Sequence, residues 1–316
     1  MQVVGLCRFS YSANINAFQT RHKDMAERKA ALYAPDRLAA RTFLLENVLL
    51  PGVRAQTDPD FTLLLLMGED IPEPWRSRIL GVISDVPQIK PVFCPAGLVH
   101  RDLYRDLFLA ERDAAAGLVA EFRIDDDDAL AHDFVERLRK AEPLLASLVN
   151  DHGRAAIDFQ KGLLMELGQG RIDYRPVVVP GWAPALAMVQ RSGAGKFVMD
   201  IMHHKIWLHM PTLTFQDSPM FPRGSHEANN SQIKLGGTGD FNLPAEEIPA
   251  LLRDRFSLDM AENVRRWAEL TARQAPRRYE WRSAFAAVDT PSDSPYTPPI
   301  RVWGTPSCPI SESSCS

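Results

Sequence analysis

The chain has 316 residues, of which 45% are hydrophobic and 24% charged, which suits one large α/β domain or two smaller ones. Its formal net charge of −4 excludes the strongly basic field with which proteins gather nucleic acid. The most apolar run, residues 61–67, is too short to span a bilayer. We therefore expect a cytoplasmic protein, with room for peripheral contact at the inner membrane.

The first half of the chain alternates between strand and helix patterns. Apolar runs rich in β-branched residues predict strands, and apolar stripes at helical spacing predict helices. The predicted strands cover residues 3–9, 61–67, 88–93 and 118–124, and the predicted helices cover residues 35–51, 72–82, 102–116 and 131–149. Residues 10–30 are polar and irregular and predict a loop with room for a helical turn, and Pro143 predicts a kink in the last helix. This alternation predicts a mostly parallel sheet flanked by helices.

The second half predicts a strand-rich region followed by helices. Antiparallel strands are predicted at residues 155–159, 161–167, 174–179 and 185–189, a helix at 199–210, a polar loop at 218–239 and two helices within 244–273. We therefore expect a domain of residues 1–240, made of a nucleotide and metal half (1–130) and an acceptor half (131–240). A helical extension (241–275) and a Pro/Ser-rich tail (276–316) would follow.

Four consecutive aspartates, Asp125-Asp126-Asp127-Asp128, directly follow the predicted strand 118–124. Ligands of open parallel sheets bind beyond the carboxyl ends of the strands. Four adjacent carboxylates repel one another, and Mg²⁺ or Mn²⁺ would compensate them while leaving positions for phosphate oxygens. The alternative is a solvated helix N-terminus, where aspartates interact favourably with the helix dipole. The strand before the run and the helix after it favour the metal site.

Several segments resemble the motifs of one enzyme family. They are Gln56-Thr57-Asp58-Pro59-Asp60-Phe61, Gly68-Glu69-Asp70-Ile71-Pro72, Arg123-Ile124-Asp125-Asp126-Asp127-Asp128 and His226-Glu227-Ala228-Asn229-Asn230-Ser231. In order and spacing they are similar to bacterial rhamnosyltransferases, within the GT-A-fold glycosyltransferases, over about residues 1–240. The resemblance implies a GT-A-like (Rossmann-like) α/β fold, a nucleoside diphosphate sugar donor and a hydroxyl-bearing glycan, lipid or small-molecule acceptor.

The strand ends and the resemblance together predict the site residues. The predicted metal ligands are Asp125, Asp127 and Asp128, with His226 from a late loop. The predicted donor contacts are Arg8, Ser10, Glu69, Asp70, Arg123, Asp125 and Asp126. Most relatives carry Asp-Asp-Gly-Ser after the second strand, with the first Asp on the nucleobase, whereas this chain has Met67-Gly68-Glu69-Asp70. For Arg8 and Arg123 a structural ion pair is the alternative role.

An inverting sugar transfer needs a general base, and Asp158, Asp200 and Asp217 are the candidates in the acceptor half. Two histidines, His203 and His204, and two tryptophans, Trp182 and Trp207, are further candidates for the site, although such residues are more often structural. Two other functions fit the acidic run: a metal-dependent nucleotidyltransferase or phosphohydrolase, and a non-catalytic nucleotide-sugar-binding protein. Release of free sugar from the donor would favour the transferase. Cleavage within the diphosphate would favour the nucleotidyltransferase or phosphohydrolase, and binding without turnover would favour the non-catalytic binding protein.

Overall fold

A seven-stranded sheet organises the chain, which a computed structural model describes at residues 1–14, 22–226 and 239–273. The strands are β1 (Gln2–Arg8), β2 (Thr62–Gly68), β3 (Ile89–Cys94), β4 (Leu118–Asp125), β5 (Arg154–Phe159), β6 (Lys161–Gly168), β7 (Arg171–Val178), β8 (Leu186–Arg191), β9 (Thr212–Phe215) and β10 (Phe221–Ser225). The large sheet has the order β3-β2-β1-β4-β8-β5-β9, and within it β8 alone runs against its neighbours. The prediction of a mostly parallel sheet is therefore confirmed.

The remaining strands form a second, three-stranded sheet in the order β10-β6-β7. Its strands β6 and β7 pair antiparallel, as predicted, whereas β10 pairs parallel with β6. The sequence predicts only a polar loop where β10 lies, because Pro222 and Gly224 interrupt the apolar pattern. This strand ends beside the acidic run and so belongs to the candidate site.

Helices cover both faces of the large sheet. In the described parts of the chain they are α1 (Met25–Leu32), α2 (Pro35–Leu44), α3 (Leu50–Arg54), α4 (Trp75–Ile83), α5 (His100–Glu111), α6 (Phe134–Lys140), α7 (Glu142–His152), α8 (Ile248–Phe256) and α9 (Met260–Ala272). A π-helical turn, Leu45–Leu49, joins α2 to α3. Pro51 and Gly52, expected to close this helix, lie inside α3, where a first-turn proline is tolerated.

Two predicted helices and one predicted loop differ from the structure. The predicted helix 199–210 is wrong: two 3₁₀ turns, Val198–Asp200 and His203–Leu208, stand there, because the backbone between them is extended. The predicted loop 10–30 contains α1, whose N-cap Asp24 accepts a hydrogen bond from the Glu27 backbone N–H at 2.8 Å. The predicted helix 131–149 divides into α6 and α7 at Ala141, just before Pro143.

Two hydrophobic cores lie on opposite faces of the large sheet. Along β1, Cys7 belongs to the larger core together with α2, whereas Val4 and Leu6 belong to the smaller core under α5 and the 3₁₀ turns. Neighbouring side chains of a strand alternate between faces. The register pairs Leu6 with Arg123 and Arg8 with Asp125, so these charged residues lie on the face of the smaller core.

Residues Met1–Ala275 form one compact unit. The predicted division at residues 240 and 241 stays a prediction, and the predicted tail 276–316 lies outside the described residues. Among the described residues, no helix combines the length and the apolar character needed to cross a bilayer.

Candidate active site

Three of the four aspartates converge at the carboxyl end of β4. One carboxylate oxygen from each of Asp125, Asp127 and Asp128 lies within 4.8 Å of the others. Asp127 and Asp128 are buried, whereas the side chain of Asp125 is 48% exposed and opens the cluster to solvent. Burial, and next the charges of Asp127 and Asp125, raise the pKa of Asp128 well above its usual range. A divalent cation would relieve this repulsion.

Strand β10 packs directly against the acidic run at Gly224. The Gly224 backbone N–H donates to Asp128 Oδ1 at 3.0 Å. A Cβ atom at Gly224 would lie 2.6 Å from the backbone oxygen of Asp127 and 2.7 Å from its Cβ. Only glycine allows this approach, so the short β10 strand helps to set the position of the metal-ligand candidates.

Asp126 is separated from the other three aspartates by its contact with α2. It is fully buried, and Arg41 Nε donates to its Oδ2 at 2.7 Å while a second guanidinium nitrogen contacts Oδ1. Its carboxylate is thus occupied by Arg41. The predicted contact of Asp126 with the donor stays a prediction that this arrangement does not support.

His226 completes the buried side of the site. Its Nε2 lies 2.8 Å from Arg41 Nη1 and 3.1 Å from Asp127 Oδ2. Burial lowers the pKa of His226, and a neutral ring nitrogen that accepts from Arg41 has no proton to donate to Asp127. Adjacent ligands of an octahedral cation with bonds of about 2.1 Å lie about 3 Å apart. The spacing between His226 Nε2 and Asp127 Oδ2 therefore suits two ligands of one divalent cation, which would replace Arg41 as the partner of that nitrogen.

Burial alone would raise the pKa of Asp127. The charge of Arg41 is the main effect that outweighs burial and holds the pKa of Asp127 well below its usual range. Asp127 is consequently ionised at any physiological pH, as a metal ligand must be. The donor set of three carboxylates and one imidazole is compatible with Mg²⁺ or Mn²⁺.

A pocket of about 170 Å³ opens beside Asp125, on the face of the smaller core. Its charged and polar lining includes Arg8, Arg123, Asp125, His203 and Arg223. Arg8 lies 3.6 Å from the Asp125 carboxylate. The structure thus brings together the predicted residues Arg8, Arg123 and Asp125 and adds Arg223 from β10.

His203 enters this pocket with a defined tautomer. Its Nδ1 lies 2.6 Å from the carbonyl oxygen of Gly181, and the Gly181 backbone N–H donates to Asp158 Oδ2 at 2.8 Å. Burial, and next the charge of Arg123, lower the pKa of His203 to about 3. A neutral ring that donates through Nδ1 keeps its Nε2 as a hydrogen-bond acceptor.

The predicted nucleotide contacts lie at the ends of β1 and β2. Ser10 has a left-handed backbone (φ 48°), and its Oγ accepts from Arg37 at 2.8 Å. Glu69 is exposed, and Asp70 accepts from the Tyr33 hydroxyl at 2.7 Å and pairs with Lys29. Their contact with a nucleotide stays a prediction.

The three predicted bases occupy different surroundings, and none of them lines the pocket. Asp158 is buried under Gly181, and burial raises its pKa. Asp200 accepts from the Phe197 backbone N–H at 3.1 Å, next to the pocket residue Met199. Asp217 forms an exposed ion pair with Arg137, at 2.6 Å.

Sequence reasoning missed several residues of the site: Arg37, Arg41, Gly181, Arg223 and Gly224. Arg37 and Arg41 are four residues apart on α2, a spacing that places both on one helix face. Two arginines at this spacing on one predicted helix are the signal from which they could have been found.

The two predicted tryptophans lie in different surroundings. Trp182 packs under Arg223, whose guanidinium carbon lies 4.4 Å from the ring centroid, and Trp207 is 63% exposed.

A family model described as "Putative rhamnosyl transferase" matches residues 2–238. The chain belongs to this rhamnosyl transferase family. The predicted family and the predicted enzyme class, a glycosyltransferase, are thereby confirmed. A comparison with curated protein sequences found no match.

Solved structures show distant likeness to this rhamnosyl transferase family member. S. aureus TarS 1–349 in complex with UDP-GlcNAc has 10% identity and a TM-score of 0.38, over 85% of this chain and 72% of that one. The apo structure of the bifunctional glycosyltransferase WbbM has 15% identity and a TM-score of 0.26, over 50% of this chain and 23% of that one. The inositol-1-phosphate CTP transferase of T. maritima has 9% identity and a TM-score of 0.30, over 70% of this chain and 88% of that one. This chain spans 37% of a longer TarS structure.

Proposed function

We propose that this family member transfers a hexose or deoxyhexose, with rhamnose as the first candidate, from a nucleoside diphosphate sugar to a hydroxyl of a glycan, lipid or small molecule. The observation that carries the proposal is the convergence of Asp125, Asp127 and Asp128 at the carboxyl edge of a parallel sheet, within a rhamnosyl transferase family chain. The cytoplasm is the proposed location.

Mg²⁺ or Mn²⁺ is the proposed cofactor, which Asp125, Asp127 and Asp128 would hold, with His226 as the further candidate ligand. When bound, such a cation neutralises the negative charge that develops on a leaving diphosphate. The fit rests on the chemistry of the donors, because buried carboxylates that raise one another's pKa favour a hard cation.

The chain's own residues have separate tasks in this proposal. Arg41 orients Asp127 and is itself held by Asp126, so α2 positions the metal-ligand candidates. Arg37 lies beside Ser10 at the end of β1, where we place the donor nucleotide, with Glu69 and Asp70 at the neighbouring strand end. Asp200, next to Met199 of the pocket wall, is the first candidate to take the proton of the acceptor hydroxyl.

A thermal-shift screen tests the proposal. Nucleoside diphosphates and nucleotide sugars are added with and without Mn²⁺ to the wild type and to Asp127→Ala. A ligand that binds the native state raises the melting temperature by mass action. We expect a metal-dependent rise with one nucleotide that the variant lacks. No rise with any nucleotide would contradict the proposal, and products from cleavage within the diphosphate would favour a phosphohydrolase.

A further inference from the structure

Two arginines of the pocket form no direct ion pair within the described residues. Arg123 and Arg223 both line it, and in the described parts of the chain no ion pair or hydrogen bond involves either guanidinium. Arg223 is held in place by stacking on Trp182. A partly buried guanidinium without a directly bonded anion costs free energy unless a ligand supplies one.

The charges of the pocket do not balance. Arg8, Arg123 and Arg223 face the single carboxylate of Asp125, and His203 is neutral because its pKa lies at about 3. The lining residues therefore carry two positive charges in excess, offset in part by Asp128, which interacts electrostatically with Arg223. The space that they surround has the volume of roughly five water molecules. This is room for one phosphate or carboxylate group, which arginine binds with two parallel hydrogen bonds.

The position of the pocket indicates which molecule brings the anion. The pocket lies on the face of the smaller core, whereas Arg37, Arg41 and His226 lie on the α2 side of the acidic run. Four of the nine residues that line it come from residues 131–240, the half predicted to bind the acceptor. The α2 side has its own cations for the donor.

We propose that Arg123 and Arg223 bind an anionic group, a phosphate or a carboxylate, carried by the acceptor. The acceptor is then an acidic molecule, such as a phosphorylated or uronic-acid-containing glycan or lipid. This inference rests on the proposed sugar transfer, since it names the acceptor class of that same site. Asp125 is common to the two sites, because it belongs to the acidic cluster and its Oδ1 lies 3.6 Å from Arg8.

The test compares Arg123→Gln and Arg223→Gln with wild type and with Arg253→Gln, an exposed arginine on α8 that serves as the matched control. A nucleoside diphosphate with Mg²⁺ is titrated first. We expect all four proteins to bind it with affinities within about threefold, because the pocket arginines do not hold the donor. A loss of about tenfold or more in either pocket variant would place these arginines on the donor diphosphate and overturn the proposal.

Inorganic phosphate is then titrated into the protein saturated with that nucleotide and Mg²⁺. We expect a saturable rise in melting temperature for wild type and control, with phosphate affinity about tenfold weaker in each pocket variant. No rise in the wild type, or equal rises in all four proteins, would overturn the proposal. If no nucleotide binds at all, the proposed function fails, and the same phosphate titration on the nucleotide-free protein still decides whether the arginines form an anion site.

Folding is checked in the same samples without anions. Removing an unpaired charge should leave the melting temperature of Arg123→Gln and Arg223→Gln equal to or above that of the wild type. A clearly lower melting temperature would show that the arginines stabilise the fold instead, and would contradict the proposal.

Discussion

Arg41 and Asp126 form a buried ion pair at the second position of the acidic run, with Arg41 Nε 2.7 Å from Asp126 Oδ2. The same guanidinium reaches Asp127 Oδ1 at 3.4 Å and His226 Nε2 at 2.8 Å. One aspartate of the run therefore anchors α2, while its three neighbours face one another. Four identical side chains have two different roles, which a pair of matched substitutions can separate.

Asp126→Asn should mainly lower stability, whereas Asp127→Asn should mainly lower metal-dependent binding and activity. In Asp126→Asn, the buried guanidinium of Arg41 faces a neutral amide instead of a carboxylate. The free energy of unfolding should therefore fall by up to about 3–5 kcal/mol. Asp127→Asn should abolish the metal-dependent nucleotide shift and lower the transfer rate by about 100-fold or more, because a metal's charge stabilisation amounts to several kcal/mol. Urea unfolding and the thermal-shift assay measure the two effects. Loss of metal dependence in Asp126→Asn with unchanged stability would contradict this division.

Gly224→Ala should disturb the acidic run through its backbone. The added methyl group would lie within 2.8 Å of three atoms of Asp127, so β10 or the run must move. We expect a loss of about 1–3 kcal/mol in the free energy of unfolding, together with weaker metal-dependent nucleotide binding.

Gly81→Ala is the matched control for this substitution. Gly81 lies in α4, and a Cβ atom there meets no other atom within 4 Å. Alanine should stabilise this exposed helix by about 0.5–1 kcal/mol and leave nucleotide binding unchanged. Chemical denaturation of both variants gives the comparison, and an equally stable Gly224→Ala protein with normal binding would show that the β10 contact is not needed.

His203 predicts a pH dependence of stability. Its pKa is about 3 in the folded chain, against about 6.5 when unfolded, because burial and Arg123 disfavour the charged ring. Below pH 6.5 the unfolded state takes up a proton that the folded state does not bind. The contribution of His203 to stability is therefore complete above pH 6.5 and is lost as the pH falls toward 3.

His203→Gln removes this titration. The wild type should lose about 2 kcal/mol of unfolding free energy relative to the variant between pH 7 and pH 5. Urea unfolding of both proteins at the two pH values measures the difference. A difference that is constant with pH, or that grows in favour of the wild type on acidification, would contradict the neutral His203 described above.

Asp200→Asn tests the first candidate for the general base. Loss of a base should lower kcat by about 10²–10⁴-fold and leave nucleotide binding unchanged. Asp217→Asn is the control, because its ion pair with Arg137 is exposed and contributes at most about 1 kcal/mol. Steady-state transfer assays compare the two variants. Full activity of Asp200→Asn would move the assignment to Asp158, or to Asp217 if Asp217→Asn is the variant that loses activity.

The elements of the first half could be predicted because their information is local. Strand β4 and the acidic run are neighbours in sequence, so their junction at the edge of the sheet needs no tertiary knowledge. Among the elements that were missed, α1 and β10 have few apolar residues and depend on partners far along the chain. Helix α1 is recognisable mainly by its Asp24–Glu27 cap, and β10 by its pairing with β6.

The amino-acid sequence by itself determined the class of fold, the family and the place of the acidic run, because periodicity and motif spacing are properties of adjacent residues. Only the tertiary structure decided which aspartates face one another and which one pairs with Arg41, 85 residues earlier in the chain. It also decided that Arg123 from β4 and Arg223 from β10 share a pocket. The physical reason is that side-chain direction at the end of a strand depends on what packs against it, and those partners come from distant segments.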